Sequence, residues 1–259
     1  MTHYHLGLAL AAAFVTSAAG QPPAAPATKL LVPAYFYPAG DGLATWKTLL
    51  DAAKKLPVVA IVNPASGPGK AADPNYAELF EIARPSPATL IGYVTLGYAK
   101  RPLADVKAEV DAWVKLYPDI KGIFFDEQPS GGDGVAFARA AFAHGRAAIP
   151  KGVFLSNPGT VCVKDYLADP DGPAACLYEG KAGFDRFAMP AWAKGMPADR
   201  FALLRYEVKT ADEMRAAVAR GRALGAGYVY VTDATGVNPW DRLPSYWAAE
   251  VAAVGGAKK

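Results

Sequence analysis

The stretch GIFFDEQPSGGDG, residues 122–134, decides how the fold is read. Gly122 to Phe125 have the character of a strand buried on both faces, because no polar residue alternates with the apolar ones. They run straight into two acids, Asp126 and Glu127, and then into a glycine-rich loop. A strand of this kind belongs to a parallel sheet covered by helices, and its polar end belongs where the sheet meets solvent.

The same pattern recurs along the chain. Strands are expected in LLVPAYFY (30–37), VVAIVN (58–63), TLIGYVT (89–95), IKGIFFD (120–126), GVFLSN (152–157), AACLYE (174–179), FALLRYE (201–207) and GYVYVTD (227–233). Each is short, rich in β-branched or aromatic residues, and bounded by Gly or Pro. Amphipathic stretches lie between them. Over 103–117, Leu103, Val106, Val110, Trp113 and Tyr117 form one stripe, and over 211–225 the apolar side is Met214, Ala217, Val218 and Leu224. Thr210 with Glu213 reads as a capping box and Gly225 as a C-terminal stop. A further helix is expected over 245–254.

Eight strands, each followed by helix or loop, predict a single (β/α)8 TIM barrel over residues 30–259. An open doubly wound sheet would require a glycine-rich nucleotide loop after the first strand, and YFYPAGDG (35–42) is not one; SGPGK (66–70) lacks phosphate-loop spacing.

The 259 residues carry 27 basic and 24 acidic side chains, a net charge of +3, with no Lys/Arg-rich run. That argues against a nucleic-acid surface. Residues 1–20, with the apolar core LGLALAAAFV and the small residues TSAAG, read as an export signal cleaved near Ala19 or Gly20. Residues 21–29 read as a short tether. The expectation is a secreted or periplasmic protein, with no membrane span after cleavage, and a monomer. In that compartment Cys162 and Cys176 are expected to form a disulfide, whose loop would contribute roughly 3 kcal/mol.

Two of the three histidines lie in the signal segment, which leaves His144 within a helical stretch. One histidine cannot furnish a histidine-rich metal site, and nothing near it resembles a nucleophile elbow. No metal or cofactor is therefore expected, and chemistry must rest on carboxylates, amines or tyrosines.

In a barrel the site lies at the C-terminal ends of the strands. Those ends are polar: Tyr37, Asn63, Thr95, Asp126 and Glu127, Asn157, Glu179, Tyr206, and Thr232 with Asp233. Neighbouring strand residues face opposite ways, so Asp126 and Glu127 share the mouth only if the strand has already turned. Asn63-Pro64 and Asn157-Pro158 are also consistent with loop starts that cap the next helix. Asp126 and Glu179, from strands two places apart, form a carboxylate pair of the sort that cleaves glycosides. Tyr35, Tyr37, Tyr93, Tyr98, Tyr178, Tyr206 and Trp240 are aromatic candidates for the mouth, although with 13 Tyr and 5 Trp in the chain many must be core.

Several stretches resemble the spherulin-4 family (spherulation-specific family 4), which overlaps glycoside hydrolase family 135. They are VPAYFYP (32–38), IVNPASGPG with DPNY (61–76), IGYVTLGYAKRP (91–102), GIFFDE (122–127), YEG (178–180) and NPWDRLPSYW (238–247). The resemblance runs from about residue 30 to 250 and keeps the family's order. It implies a (β/α)8 barrel and a secreted endo-α-1,4-galactosaminidase acting on galactosamine-containing biofilm polysaccharide. Carried over, the family's acids are Asp126, Glu127 and Glu179. Asp126 is then nucleophile or transition-state stabiliser, Glu179 general acid/base and Glu127 a supporting acid, with the first two roles exchangeable. Tyr35, Tyr37, Asn63, Tyr93, Tyr98, Asn157, Tyr206 and Asp233 are the candidate substrate contacts. Ala65 departs from the Asn that many relatives carry. The alternative is a non-catalytic carbohydrate-binding or structural cell-wall or coat barrel. A metal-dependent deacetylase is disfavoured by the single remaining histidine.

Overall fold

The computed structural model of the chain describes residues 1–3 and 28–256. The export signal expected over 1–20 and the tether over 21–29 lie, apart from residues 1–3, 28 and 29, outside the described residues. Eight parallel strands close into a barrel in sequence order: β1 (Lys29–Pro33), β2 (Val58–Val62), β3 (Thr89–Thr95), β4 (Gly122–Asp126), β5 (Val153–Ser156), β6 (Ala174–Gly180), β7 (Phe201–Arg205) and β8 (Tyr228–Val231). The ring is sealed where Lys29 and Leu30 pair with Tyr228 and Val229.

Six α-helices are present among the described residues: α1 (Asp41–Ala52), α2 (Pro74–Ala83), α3 (Leu103–Leu116), α4 (Val135–Ala148), α5 (Ala211–Ala223) and α6 (Trp247–Gly255). After β5 and β6 the chain makes only short 3-10 turns, at Lys164–Leu167, Ala191–Ala193 and Ala198–Arg200. Prolines 158, 170, 173, 190 and 197 punctuate these crossings. Proline lacks the N–H that a helix interior needs, so no helix of ordinary length propagates there.

Helix ends follow local chemistry. Thr210 accepts from the Glu213 N–H while the Glu213 side chain accepts from the Thr210 N–H, a complete capping box, and Gly225 follows the helix at φ +83°. Asp73 caps α2 by accepting from the Asn75 and Tyr76 N–H groups, with Pro74 at the first turn.

The strands are apolar on both faces, as their sequence demands. Phe124 meets Tyr93 inside the barrel, with ring centroids 6.5 Å apart, and Phe125 meets Phe142 of α4 outside it, at 5.2 Å. The α3 stripe buries Val106, Val110 and Trp113. Trp113 donates its indole N–H to the Tyr93 carbonyl at 2.8 Å. The ring lies so close to the strand that a Cβ at Gly92 would come within 2.5 Å of it. His144 sits on the outer ring of helices, 2.7 Å from Asp111 of α3, and takes no part in the strand-end cluster.

The cysteines are not bridged. Both are free and buried. Cys162, in the loop after β5, lies against Gln128. Cys176 is in the wall of β6, its thiol 3.3 Å from the Tyr178 carbonyl. Each thiol is held by its own element, so the expected disulfide gives way to two separate packing roles.

Candidate active site

The site is built where β4, β5 and β6 end. Strand β4 stops at Asp126, and Glu127 takes a left-handed backbone, φ +53°. This turn is how two adjacent acids come to serve one mouth. Asp126 keeps the inward direction of Phe124. Glu127 is swung toward β3, where its carboxylate accepts from the Thr95 hydroxyl. The Glu127 carbonyl accepts from the Tyr98 N–H at 2.8 Å. Gly97, Tyr98 and Ala99 all have positive φ, so a strained turn stands over the acids.

Asn157 directly follows β5 and lies between the two principal acids. Its amide nitrogen donates to Asp126 at 2.8 Å and to Glu179 at 2.5 Å. The two accepting oxygens are therefore no farther apart than those two bonds laid end to end. Its amide oxygen accepts from the Gly159 N–H at 2.9 Å, and the Gly159 carbonyl accepts from the Glu179 N–H at 3.0 Å. Gly159 has φ +65°, which glycine adopts without penalty, and this turn fastens the loop after β5 to β6.

The electrostatics separate the acids. Burial drives the Glu179 carboxyl up from near 4.5 to about 7; the Asn157 bond opposes this, Asp126 adds to it, and the Trp240 side chain opposes it. Asp126 is also raised by burial, opposed by donors from the Glu127 backbone, Asn157 and Tyr93. Three donors against two leave Asp126 the better stabilised anion. Among the described residues no Lys or Arg forms an ion pair with Asp126, Glu127 or Glu179.

The other candidates divide. Tyr35 and Tyr93 join the cluster, packed edge to face at 6.0 Å. Burial first, and then the charge of Asp126, hold both phenols above their ordinary range. Tyr98 stands exposed at the rim and is raised by burial and by all three acids. Tyr206 packs on Trp240 at 5.7 Å. Tyr37 is exposed, and its hydroxyl donates to the Asp73 carboxylate at 3.0 Å. Tyr178 turns away, packing on Phe184 and Phe187 and donating to the Ala182 carbonyl.

Two expected contacts are taken up by the protein's own loops. Asn63 accepts from the Gly67 N–H at 2.9 Å. Asp233 accepts from Arg242 at 2.6 Å and from the Ser245 N–H, and these partners outweigh its burial to hold it below the usual carboxylate range. The bridging role of Asn157 and the donor role of Trp240 were not legible in sequence. The only available signals were a strand-end Asn and an aromatic in NPWD.

The family model for spherulation-specific family 4 matches residues 29–254. Spherulin-4 of Physarum polycephalum is 28% identical over 237 residues, covering 87% of this chain and 70% of its own. Among solved structures, Aspergillus clavatus Sph3 in complex with GalNAc superposes with a TM-score of 0.74 at 24% identity, over 89% of this chain and 98% of that one. A Thermomonospora fusca β-mannanase bound to mannohexaose superposes at 0.52 and 13% identity, over 90% of each chain.

Proposed function

The chain belongs to spherulation-specific family 4, and from that premise we propose that it is a glycoside hydrolase that cleaves α-1,4-linked galactosamine/N-acetylgalactosamine polysaccharide. The observation that carries the reading is the Asn157 amide bonded at once to Asp126 and Glu179. The nearest oxygens of these two half-buried carboxylates lie within the sum of those two bonds, which is closer than the ~6.5–9.5 Å an inverting pair needs to seat a water and favours the closer pairing, about 5–5.5 Å, of retaining glycosidases.

In this reading Glu179, raised by burial to about 7, is the proton donor, and Asp126, whose three donors oppose the raising effect of burial, is the anion. The Glu179 carboxyl gives its proton to the glycosidic oxygen as the bond from that oxygen to the anomeric carbon breaks. The Asp126 carboxylate bonds to the anomeric carbon, forming a glycosyl ester. Glu179, now an anion, takes a proton from water as the water oxygen attacks the same carbon. The ester breaks, Asp126 leaves as carboxylate, and Glu179 is protonated again. Asn157 supports an anion on either side throughout. Glu127, held by Thr95, contributes negative charge that steadies a developing oxocarbenium ion.

The substrate class draws support from charge and from a relative. Deacetylated galactosamine is cationic, and the carboxylates of Asp126 and Glu127, which form no ion pair with Lys or Arg among the described residues, suit it. The solved relative of the same barrel carries GalNAc. The signal-like residues 1–20 support an exported enzyme, which would meet such a polymer outside the cytoplasm.

The test is incubation of the protein with partially deacetylated α-1,4-galactosamine polymer and mass spectrometry of the products. Oligosaccharides are expected from the wild type and none from Asp126→Asn or Glu179→Gln. Polymer binding without new chain ends would instead identify a carbohydrate-holding barrel, and full turnover by either variant would refute the assignment of the acids.

A further inference from the structure

Strand β6 carries an irregularity that the rest of the barrel lacks. Ala175 and Cys176 pair with Phe201 and Ala202 of β7, but Tyr178, Glu179 and Gly180 pair with Leu203, Leu204 and Arg205. Leu177 is thus one residue too many on β6, a bulge of a kind rarely found between parallel strands.

The extra residue reverses the parity of everything after it. Cys176 faces inward, where Glu179 and Asp126 are its charged neighbours. Tyr178 faces outward against Phe184 and Phe187, with ring centroids 4.9 and 5.2 Å away. Glu179 faces inward again, three residues after Cys176, where strict alternation would send it to the outer face. The bulge is therefore what brings the acid to the mouth.

The Cys176 thiol spans this bulge. It is fully buried, and its Sγ donates to the Tyr178 carbonyl at 3.3 Å, across the extra residue. We propose that Cys176 is a positioning residue: its thiol clamps the β6 bulge and so aims Glu179 at Asp126. The far side of Glu179 is fixed by its N–H bond to Gly159, so the acid is held from both directions. This account also gives the buried thiol a task that a disulfide would abolish. The catalytic part of the inference rests on the hydrolase reading; the clamp itself does not.

The test compares Cys176→Ser, which keeps a donor, with Cys176→Ala and with Cys176→Val, which fills the space without donating and stands in should the alanine variant fail to fold. Two readouts are taken: kcat and KM on the galactosamine polymer, and the glutamate carboxyl titration by 13C NMR, with Glu179→Gln to assign the signal. The titratable groups facing Glu179 are Asp126, Cys176, Tyr35 and Tyr98, all present in the serine variant's background except the thiol itself.

The clamp predicts that the alanine or valine variant loses about 10- to 100-fold in kcat with KM nearly unchanged, as a displaced catalytic group does. The Glu179 titration should fall back toward the ordinary glutamate range as the side chain escapes to solvent, and serine should restore both readouts. A non-donating variant with wild-type kcat and titration overturns the proposal, as does a serine variant impaired as far as valine, which would mean packing alone. Absence of turnover in the wild type defeats the hydrolase reading, while the titration still decides the clamp.

Discussion

Asn157 divides one amide between two acids, and that makes it the most consequential uncharged residue of the site. A hydrogen bond to a charged group contributes about 1.5–3 kcal/mol, so its loss should lower kcat by roughly 10- to 100-fold. The bond lowers the pKa of both Asp126 and Glu179. With Asp126 as the proposed nucleophile and Glu179 as the proposed acid, both limbs of a bell-shaped rate profile should move to higher pH in Asn157→Ala, because Asp126 would ionise later and Glu179 keep its proton longer. An unmoved profile from kcat measured between pH 4 and 9 would show that the amide does not support the carboxylates. Glu179 makes a second, catalysis-free prediction. Its folded-state value, about 7, lies above its unfolded value, so it contributes stability below pH 4.5 that is lost as pH rises through 7. Glu179→Gln should gain on wild type by roughly 3 kcal/mol between pH 4.5 and 8, read from denaturant melts. A constant difference across that range would mean that the carboxyl is not raised. At this scale the sequence is legible where a strand's apolar run ends in a polar residue, which is how Asp126, Glu127, Asn157 and Glu179 stand out. It is silent on which polar ends are already engaged. Asp233 looked like the rest, but its partners Arg242 and Ser245 lie in a loop that returns only after folding.

Elements set the directions of those residues, and direction is where pattern reading reached its limit. A strand's inside and outside follow from alternation, yet two departures from alternation build this site: the left-handed turn at Glu127 and the extra residue at Leu177. Neither has a marker in the sequence, since Glu is not a residue that favours positive φ and Leu177 reads as ordinary strand. The sequence leaves helix or loop open after β5 and β6, and the structure has only short 3-10 turns there, among the prolines. The turn after β3 shows what such departures require. Tyr98 and Ala99 hold φ +52° and +60°, a conformation costing about 1–2 kcal/mol for a residue with a Cβ. Ala99→Gly should remove that strain and raise the unfolding free energy by about 1 kcal/mol, seen as a higher urea midpoint at constant slope. A midpoint that stays or falls would show that the turn stores no strain.

The whole molecule sets a global charge against a local one. The barrel order was legible because eight apolar runs recur with the period of βα units, and parallel strands must be joined by crossovers, which in a closed ring cover its outer face. The distribution of charge over the finished barrel was not, because it depends on which loops face the mouth. The chain carries +3 overall, which at long range repels a cationic polymer, whereas the carboxylates of Asp126 and Glu127 would attract it at close range. The Debye length is about 10 Å at 0.1 M salt, so the long-range repulsion is already largely screened there, and the term that further salt still weakens is the attraction at the half-buried mouth. If the acids govern binding, KM for partially deacetylated polymer should rise with salt between 0.1 and 0.5 M, by up to about tenfold, while KM for fully acetylated polymer stays flat. A KM that falls with added salt would mean that net repulsion dominates the encounter. Equal salt dependence for both polymers would mean that the mouth does not read the ammonium group at all.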